Sequence, residues 1–88
     1  MKVKKGFVVR EVGGKKYAVA TGEVAKSFKG MLGLNEMAAH IFELLQTETS
    51  RDALIEAILS EYEADRQVVE ADVDKFISQL KSIDVIEE

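Results

Sequence analysis

The sequence predicts an α+β domain in which a three-stranded antiparallel sheet is followed by three helices, an arrangement that resembles a winged helix-turn-helix. The first third of the chain holds two strand-like runs joined by a two-residue Gly-Gly loop, which is a strong hairpin signal. From Asn35 onward, the apolar residues recur with helical spacing. A chain of 88 residues is long enough for one domain, so we expect a single domain over residues 1–88.

The first two strands are expected at 6–12 and 15–21, on either side of the glycines at 13–14. Two glycines between β-rich runs are typical of a hairpin, because type I′ and II′ turns need positive φ. The loop sets a register that pairs Val12 with Lys15, Arg10 with Tyr17, Val8 with Val19, Phe7 with Ala20, Val9 with Ala18, and Glu11 with Lys16 as an ion pair. Both faces of this hairpin are partly apolar, so one packs on helices and the other is open or meets a partner.

The run FKGMLGL at 28–34 is the expected third strand, after a loop at 22–27. Its two glycines weaken it as an interior strand, so in a meander it would lie at the sheet edge. An edge strand leaves main-chain groups open to another chain, so the same edge could also pair with a second copy in a homodimer. Strand alternation places Phe28, Gly30, Leu32 and Leu34 on one face, toward the helices, and Lys29, Met31 and Gly33 on the other.

Three helices are expected, at about 36–46, from Thr49 or Ser50 to about 62, and at about 65–83. Asn35 is the expected N-cap of the first helix. Thr49 with Asp52 resembles a capping box for the second, with Asp in place of the usual Glu or Gln. The acidic tail 84–88 is expected to fray.

The third helix has an apolar stripe that indicates which of its residues are buried. At 100° per residue the stripe is centred near Leu80, with Val73 and Phe76 beside it. Residues at the centre are expected in the core, and residues on the flanks are candidates for a cleft. The flanks are Ile77 and Asp84 on one side and Asp72, Gln79 and Ile83 on the other, and the sequence leaves open which flank faces the third strand.

The charge is distributed unevenly along the chain. Residues 1–34 carry a net charge of +6 and residues 35–88 a net charge of −10. A winged helix-turn-helix shape suggests a nucleic-acid-binding regulator as the alternative function, but acidic helices would repel phosphate. Nucleic acid is therefore disfavoured, although the basic hairpin could make a wing-like contact. The same basic region would attract an acidic peptide, or the charges could serve solubility alone.

The sequence offers little catalytic or metal-binding chemistry. Cysteine is absent and His40 is the single histidine, which excludes thiolate sites and multi-histidine metal sites. No glycine spacing matches a phosphate loop. We therefore expect no enzyme activity, no metal and no cofactor. The apolar run after the basic start is too short for a signal peptide or a membrane span, and the lack of cysteine fits a cytoplasmic location.

Four segments follow one another in a fixed order along the chain: GFVVREVGGKKYAV, FKGMLGLNEMAAHIFELL, TSRDALIEAILSEY and VEADVDKFISQL. The most telling piece is Leu34-Asn35-Glu36 followed by an apolar helix. In this order and spacing the segments resemble the PqqD-like family, that is, pyrroloquinoline quinone biosynthesis protein D and its relatives. The resemblance covers about residues 5–86 and depends on the order and spacing of these segments.

The resemblance implies a recognition domain for ribosomally made, post-translationally modified peptides. Such a domain binds the leader of a precursor peptide and presents it to a modifying enzyme, often a radical S-adenosylmethionine enzyme. The leader adds as a strand to the edge of the third strand, in a cleft against the third helix. The implied peptide-binding residues are Phe28, Lys29, Gly30, Met31, Leu32, Gly33, Leu34, Phe76, Ile77, Gln79 and Leu80. Pyrroloquinoline quinone biosynthesis is one candidate among several pathways.

Overall fold

The computed structural model describes residues 1–27 and 30–87. Its elements are β1 (Lys2–Val3), β2 (Phe7–Val12), β3 (Lys15–Ala20), α1 (Val24–Ser27), β4 (Met31–Leu34), α2 (Glu36–Leu44), α3 (Arg51–Glu61), α4 (Arg66–Ser82) and β5 (Ile86–Glu87). The predicted α+β class is confirmed, since β2, β3 and β4 form an antiparallel sheet that precedes the three longer helices. Within the described ranges, no helix is both long and apolar enough to cross a membrane.

β2 and β3 form the hairpin that the Gly-Gly loop predicts. Gly13 and Gly14 have φ values of 60° and 81°, as a type I′ turn requires. The register agrees with all six predicted cross-strand pairs. The predicted ion pair between Glu11 and Lys16 is not formed, although the two residues face each other. An ion pair near an exposed hairpin tip gains little over solvation by water.

The predicted loop at 22–27 contains a short helix, α1, which begins at Val24. The chain turns into it at Gly22, whose φ of 58° suits glycine. α1 packs closely against the chain just before β2. A Cβ atom at Gly6 would lie only 2.6 Å from Val24 Cγ2, so this contact requires glycine. A single helical turn is too short to show a periodic apolar pattern, so α1 could not be predicted from periodicity.

β4 lies at the edge of the three-stranded sheet, as the glycines of this segment predict. It is shorter than the predicted strand at 28–34, because it begins at Met31. Gly30 precedes it with a φ of 100°, which is outside the extended region that a strand needs. Phe28 and Lys29, which the sequence placed in this strand, lie outside the described residues.

The two ends of the chain form a second sheet, so the predicted fraying of the tail 84–88 is wrong for its described residues. β1 and β5 pair antiparallel, with Val3 opposite Ile86. Val85 is 1% exposed and Ile86 is 8% exposed, because the acidic tail contains two apolar residues that fill the core. Asp84 turns the chain back after α4 with a φ of 60°, and its carboxylate lies 2.9 Å from Lys4 Nζ.

Three side-chain caps determine where the longer helices begin. Asn35 Oδ1 accepts from Ala38 N at 2.8 Å, as predicted, and Asp65 caps α4 in the same way. For α3 the cap is Ser50, whose Oγ accepts from Ala53 N at 3.1 Å. The capping box predicted at Thr49 is therefore wrong, because Thr49 lies one residue too early to reach the free N–H groups of the first turn.

Replacing Ser50 with alanine is expected to lower the free energy of unfolding by about 1 kcal/mol, because α3 loses the acceptor of its first turn. Thr49→Ala is the matched control and should have a clearly smaller effect. Urea unfolding followed by circular dichroism measures both. A Thr49→Ala variant that is as destabilised as Ser50→Ala would contradict the assignment of the cap.

The core lies between the inner face of the sheet and the three longer helices. Its largest fully buried side chains are Ile41, Phe42, Leu45, Leu54, Ile55, Ile58, Val69, Val73, Leu80 and Val85, and the sheet adds the buried Phe7, Ala18 and Leu34. On the surface, Arg51 of α3 donates from Nε to Asp74 of α4 at 2.6 Å and holds the pKa of that carboxyl below its ordinary value. Arg66 likewise joins Glu56 to Glu70. These bridges lie on the surface of the α3–α4 interface, whose packing depends on the buried apolar side chains of both helices.

Candidate functional site

The sheet has two edges, β2 and β4, and β4 has no described strand on its outer side. Met31, the first residue of β4, is 58% exposed. An edge strand presents main-chain donors and acceptors that a further strand can use. The candidate site is therefore built from the free edge of β4 and whatever lies beside it.

The pairing of β3 with β2 determines which residues of β3 direct their main-chain groups at β2 and which direct them at β4. Thr21 N donates to Gly6 O at 2.6 Å, just beyond the last pair of the β2–β3 ladder. In an antiparallel pair, hydrogen-bonded and non-hydrogen-bonded positions alternate. Odd-numbered residues of β3 therefore direct their N–H and C=O groups at β2, and even-numbered residues direct them at β4.

The same alternation decides which groups of β4 are free. Leu32 and Leu34 face even-numbered residues of β3, so their main-chain groups bond within the sheet. The N–H and C=O groups of Met31 and Gly33 point away from β3, toward the open side. Side-chain burial follows the predicted alternation, because Leu34 is buried and Leu32 half-buried whereas Met31 and Gly33 are exposed.

A groove of about 590 Å³ lies beside the free edge and reaches β4 at Gly33. One wall is α4. The rest is formed by the start of α2 and by Tyr62, which follows α3. The lining residues are Gly33, Asn35, Glu36, Met37, Ala38, Ile41, Tyr62, Asp72, Lys75, Phe76 and Gln79. Apolar and polar side chains contribute to the lining in about equal measure.

The four α4 residues that the sequence singled out have two different environments. Phe76 and Gln79 line the groove, and Gln79 is exposed. Ile77 and Leu80 do not line it and belong to the core, to which Phe76 also contributes. The flank of α4 that carries Asp72 and Gln79 therefore faces the groove, which answers the question that the sequence left open.

Sequence reasoning missed the contribution of α2 and of Tyr62 to this groove. The apolar arc of α2 is broader than its core contacts require, and the half-buried Met37 and Ala38 lie at its margin. The breadth of this apolar arc was the sequence feature from which the contribution of α2 to the groove could have been predicted. Tyr62 is held by His40, whose ring meets it edge-on at a centroid distance of 6.0 Å.

A second groove, of about 710 Å³, continues from the first around the end of β4. The two grooves share Gly33, Asn35 and Glu36. The second is also lined by Gly14, Lys15, Lys16, Tyr17 and Leu34, so the tip of the β2–β3 hairpin forms its other side. The free edge of β4 thus lies between a groove of mixed apolar and polar lining and a basic groove.

The basic side chains near the edge differ from those on the helices. Arg51 and Arg66 are held in ion pairs between α3 and α4. Lys15, Lys16 and Lys75, which line the two grooves, form no ion pair with any residue in 1–27 or 30–87. The site therefore offers main-chain pairing, apolar contact and free positive charge. Among the described residues, no group of His, Cys, Asp or Glu side chains is placed to hold a metal ion.

Comparison with known proteins identifies what this chain is similar to. The model of the family "Coenzyme PQQ synthesis protein D (PqqD)" matches residues 16–86. Among solved structures, the fold is similar to "TbiB1 in Complex with the TbiA(beta) Leader Peptide", with a TM-score of 0.75 and 23% sequence identity. That match covers 99% of this chain and 95% of the other. No curated protein matches the chain.

Proposed function

Because this chain belongs to the family of coenzyme PQQ synthesis protein D (PqqD), we propose that it binds the leader of a ribosomally made precursor peptide and presents it to a peptide-modifying enzyme. The leader adds to the free edge of β4 as a further strand and lies against α4. The neighbour of similar fold was solved with a leader peptide, which supports this role. In this proposal residues 1–88 act as one non-catalytic domain.

One observation carries the proposal: the main-chain groups of Met31 and Gly33 point outward from the free edge of β4, and at Gly33 this edge meets a groove that contains apolar side chains. Strand addition uses such groups for affinity and neighbouring pockets for specificity. Alternate side chains of the added strand would point into the groove, toward Met37, Ile41 and Phe76. A catalytic role has no comparable support.

The partner enzyme follows from the family rather than from the site. We propose a radical S-adenosylmethionine enzyme or another peptide-modifying enzyme, working with this chain in the cytoplasm. The family description supports pyrroloquinoline quinone synthesis as the candidate pathway. A second copy of the chain could occupy the same edge in the absence of peptide, and a bound leader would then displace it.

Selection from a displayed library of random peptides tests the proposed function directly. Peptides of about 12 residues exceed the length of a typical strand. The best binder is then synthesised with one N-methyl group at each position in turn. Strand addition predicts a period of two: N-methylation weakens binding where the N–H faces β4 and has little effect at the positions between. Failure to enrich any peptide, or a loss of binding without that period, would refute the proposal.

Replacing Gln79 with alanine is expected to weaken binding of the selected peptide about threefold to tenfold, the equivalent of one hydrogen bond. Ser78→Ala is the matched control, because Ser78 is exposed on the same helix but does not line the groove. Fluorescence anisotropy gives both affinities, and thermal unfolding should be unchanged in both variants. Equal affinities for Gln79→Ala and Ser78→Ala would remove this flank of α4 from the site.

A further inference from the structure

We infer that the peptide bound along β4 carries a carboxylate side chain just beyond the Leu34 end of the strand, and that Lys15 and Lys16 bind it. The inference rests on the proposed function and adds a charge specificity at one end of the same site. It concerns the second groove, which borders the hairpin tip.

The two grooves form one continuous path along the peptide. Gly33 lines both, and its main-chain groups are among those that pair with an added strand. A peptide that pairs with Gly33 and continues past Leu34 therefore leaves the first groove and enters the second. The absence of a side chain at Gly33 keeps this junction open on the outer face of β4.

The lysines are within reach of a peptide in that position. Lys16 lies opposite Leu34 in the β3–β4 register, and Lys15 precedes it at the hairpin tip. Neighbouring strands lie about 4.8 Å apart, so an added strand would lie about 10 Å from β3. The side chains of a lysine and a glutamate together span that distance. Lys15 and Lys16 alternate in direction, so the pair covers both faces at the end of β4.

The charge of the second groove is poorly balanced by the described part of the protein. Neither lysine forms an ion pair with any residue in 1–27 or 30–87, even though the whole chain carries a net charge of −4. Glu36 is the one acidic residue among the described residues that line the groove. Glu11 faces Lys16 across the hairpin but makes no ion pair with it. An acidic side chain from the peptide would supply the missing counter-charge to the lysine that lies on the same face of the sheet.

A charge-swap experiment tests the inference. Each position of the selected peptide is replaced in turn by Glu, Gln and Lys, and affinities are measured at low salt for the wild type and for Lys15→Glu/Lys16→Glu. At positions beyond the Leu34 end, the wild type should prefer Glu to Lys by about threefold to tenfold. The charge-reversed variant should prefer Lys at those positions and behave like the wild type elsewhere. The preference should shrink at physiological ionic strength, where the screening length is about 8 Å.

Lys2→Glu/Lys5→Glu is the matched control, because it makes the same change of charge at residues that line neither groove. This control should keep the wild-type preference for Glu. If the control and Lys15→Glu/Lys16→Glu shift the preference equally, the effect is one of overall charge and the inference is overturned. If N-methylation weakens binding at every second position while the peptide shows no charge preference beyond the Leu34 end of β4, the inference fails and the proposed function stands. If no peptide is selected, both fail.

Discussion

Replacing Met31 with proline is expected to weaken peptide binding by about tenfold or more while the fold is retained. The N–H group of Met31 points away from β3, so proline removes no hydrogen bond from the sheet. It does remove a donor from the free edge, and its ring occupies the space that a paired strand needs. A peptide carbonyl left without its partner costs about 1–3 kcal/mol, and 1.4 kcal/mol corresponds to a factor of ten.

Two further variants separate the loss of the Met31 N–H group from the loss of its side chain and from damage to the fold. Met31→Ala keeps the N–H group and removes only the exposed side chain, so it should retain most of the affinity. Leu32→Pro removes a hydrogen bond that joins β4 to β3, so it should lower the melting temperature instead. Gly30 is unsuitable for this test, because its φ of 100° cannot be adopted by proline. If Met31→Pro has a wild-type circular dichroism spectrum and binds as tightly as the wild type, β4 is not the binding edge.

Ending the chain after Ile83 is expected to lower the free energy of unfolding by about 3–6 kcal/mol. The truncation exposes the core surface that Val85 and Ile86 cover, and full burial of each such side chain contributes about 1.5–3 kcal/mol. A domain of this size has a total stability of roughly 4–13 kcal/mol, so the shortened chain would be marginal at best. Urea unfolding measures the loss.

A chain that ends after Ile86 is the control, because it keeps both apolar residues and removes only the acidic end. It should unfold close to the midpoint of the full chain. If the two truncated chains unfold at the same urea concentration as the full chain, β5 contributes nothing to stability and the sheet of β1 and β5 is not formed in solution.

The features that the sequence predicted are those set by local chemistry. A two-residue glycine loop favours the tight I′ and II′ turns, and both give β2 and β3 the same register. Asn35 identified the start of α2, and the long stripe of α4 identified its buried face. The glycines of the third strand indicated an edge, and β4 is one.

The features that the sequence missed depend on contacts between distant residues. β1 and β5 have two residues each, which is too few to show a period, and they form because Val3 meets Ile86 across the core. The flank of α4 that faces the groove depends on how α4 packs on α3. That packing involves Arg51 and Asp74, which are 23 residues apart. Local patterns carry no information on such pairs.

The central claim is that a peptide adds as a strand to the free edge of β4. Amide hydrogen exchange of the protein, measured with and without the selected peptide, tests this claim most directly. In the free protein, the Met31 and Gly33 amides should exchange quickly, whereas those of Leu32 and Leu34 are already protected within the sheet. Saturating peptide should slow exchange at Met31 and Gly33 and leave Leu32 and Leu34 nearly unchanged. Unchanged exchange at Met31 and Gly33, or new protection at Val9 and Glu11 on the opposite edge, would contradict strand addition at β4.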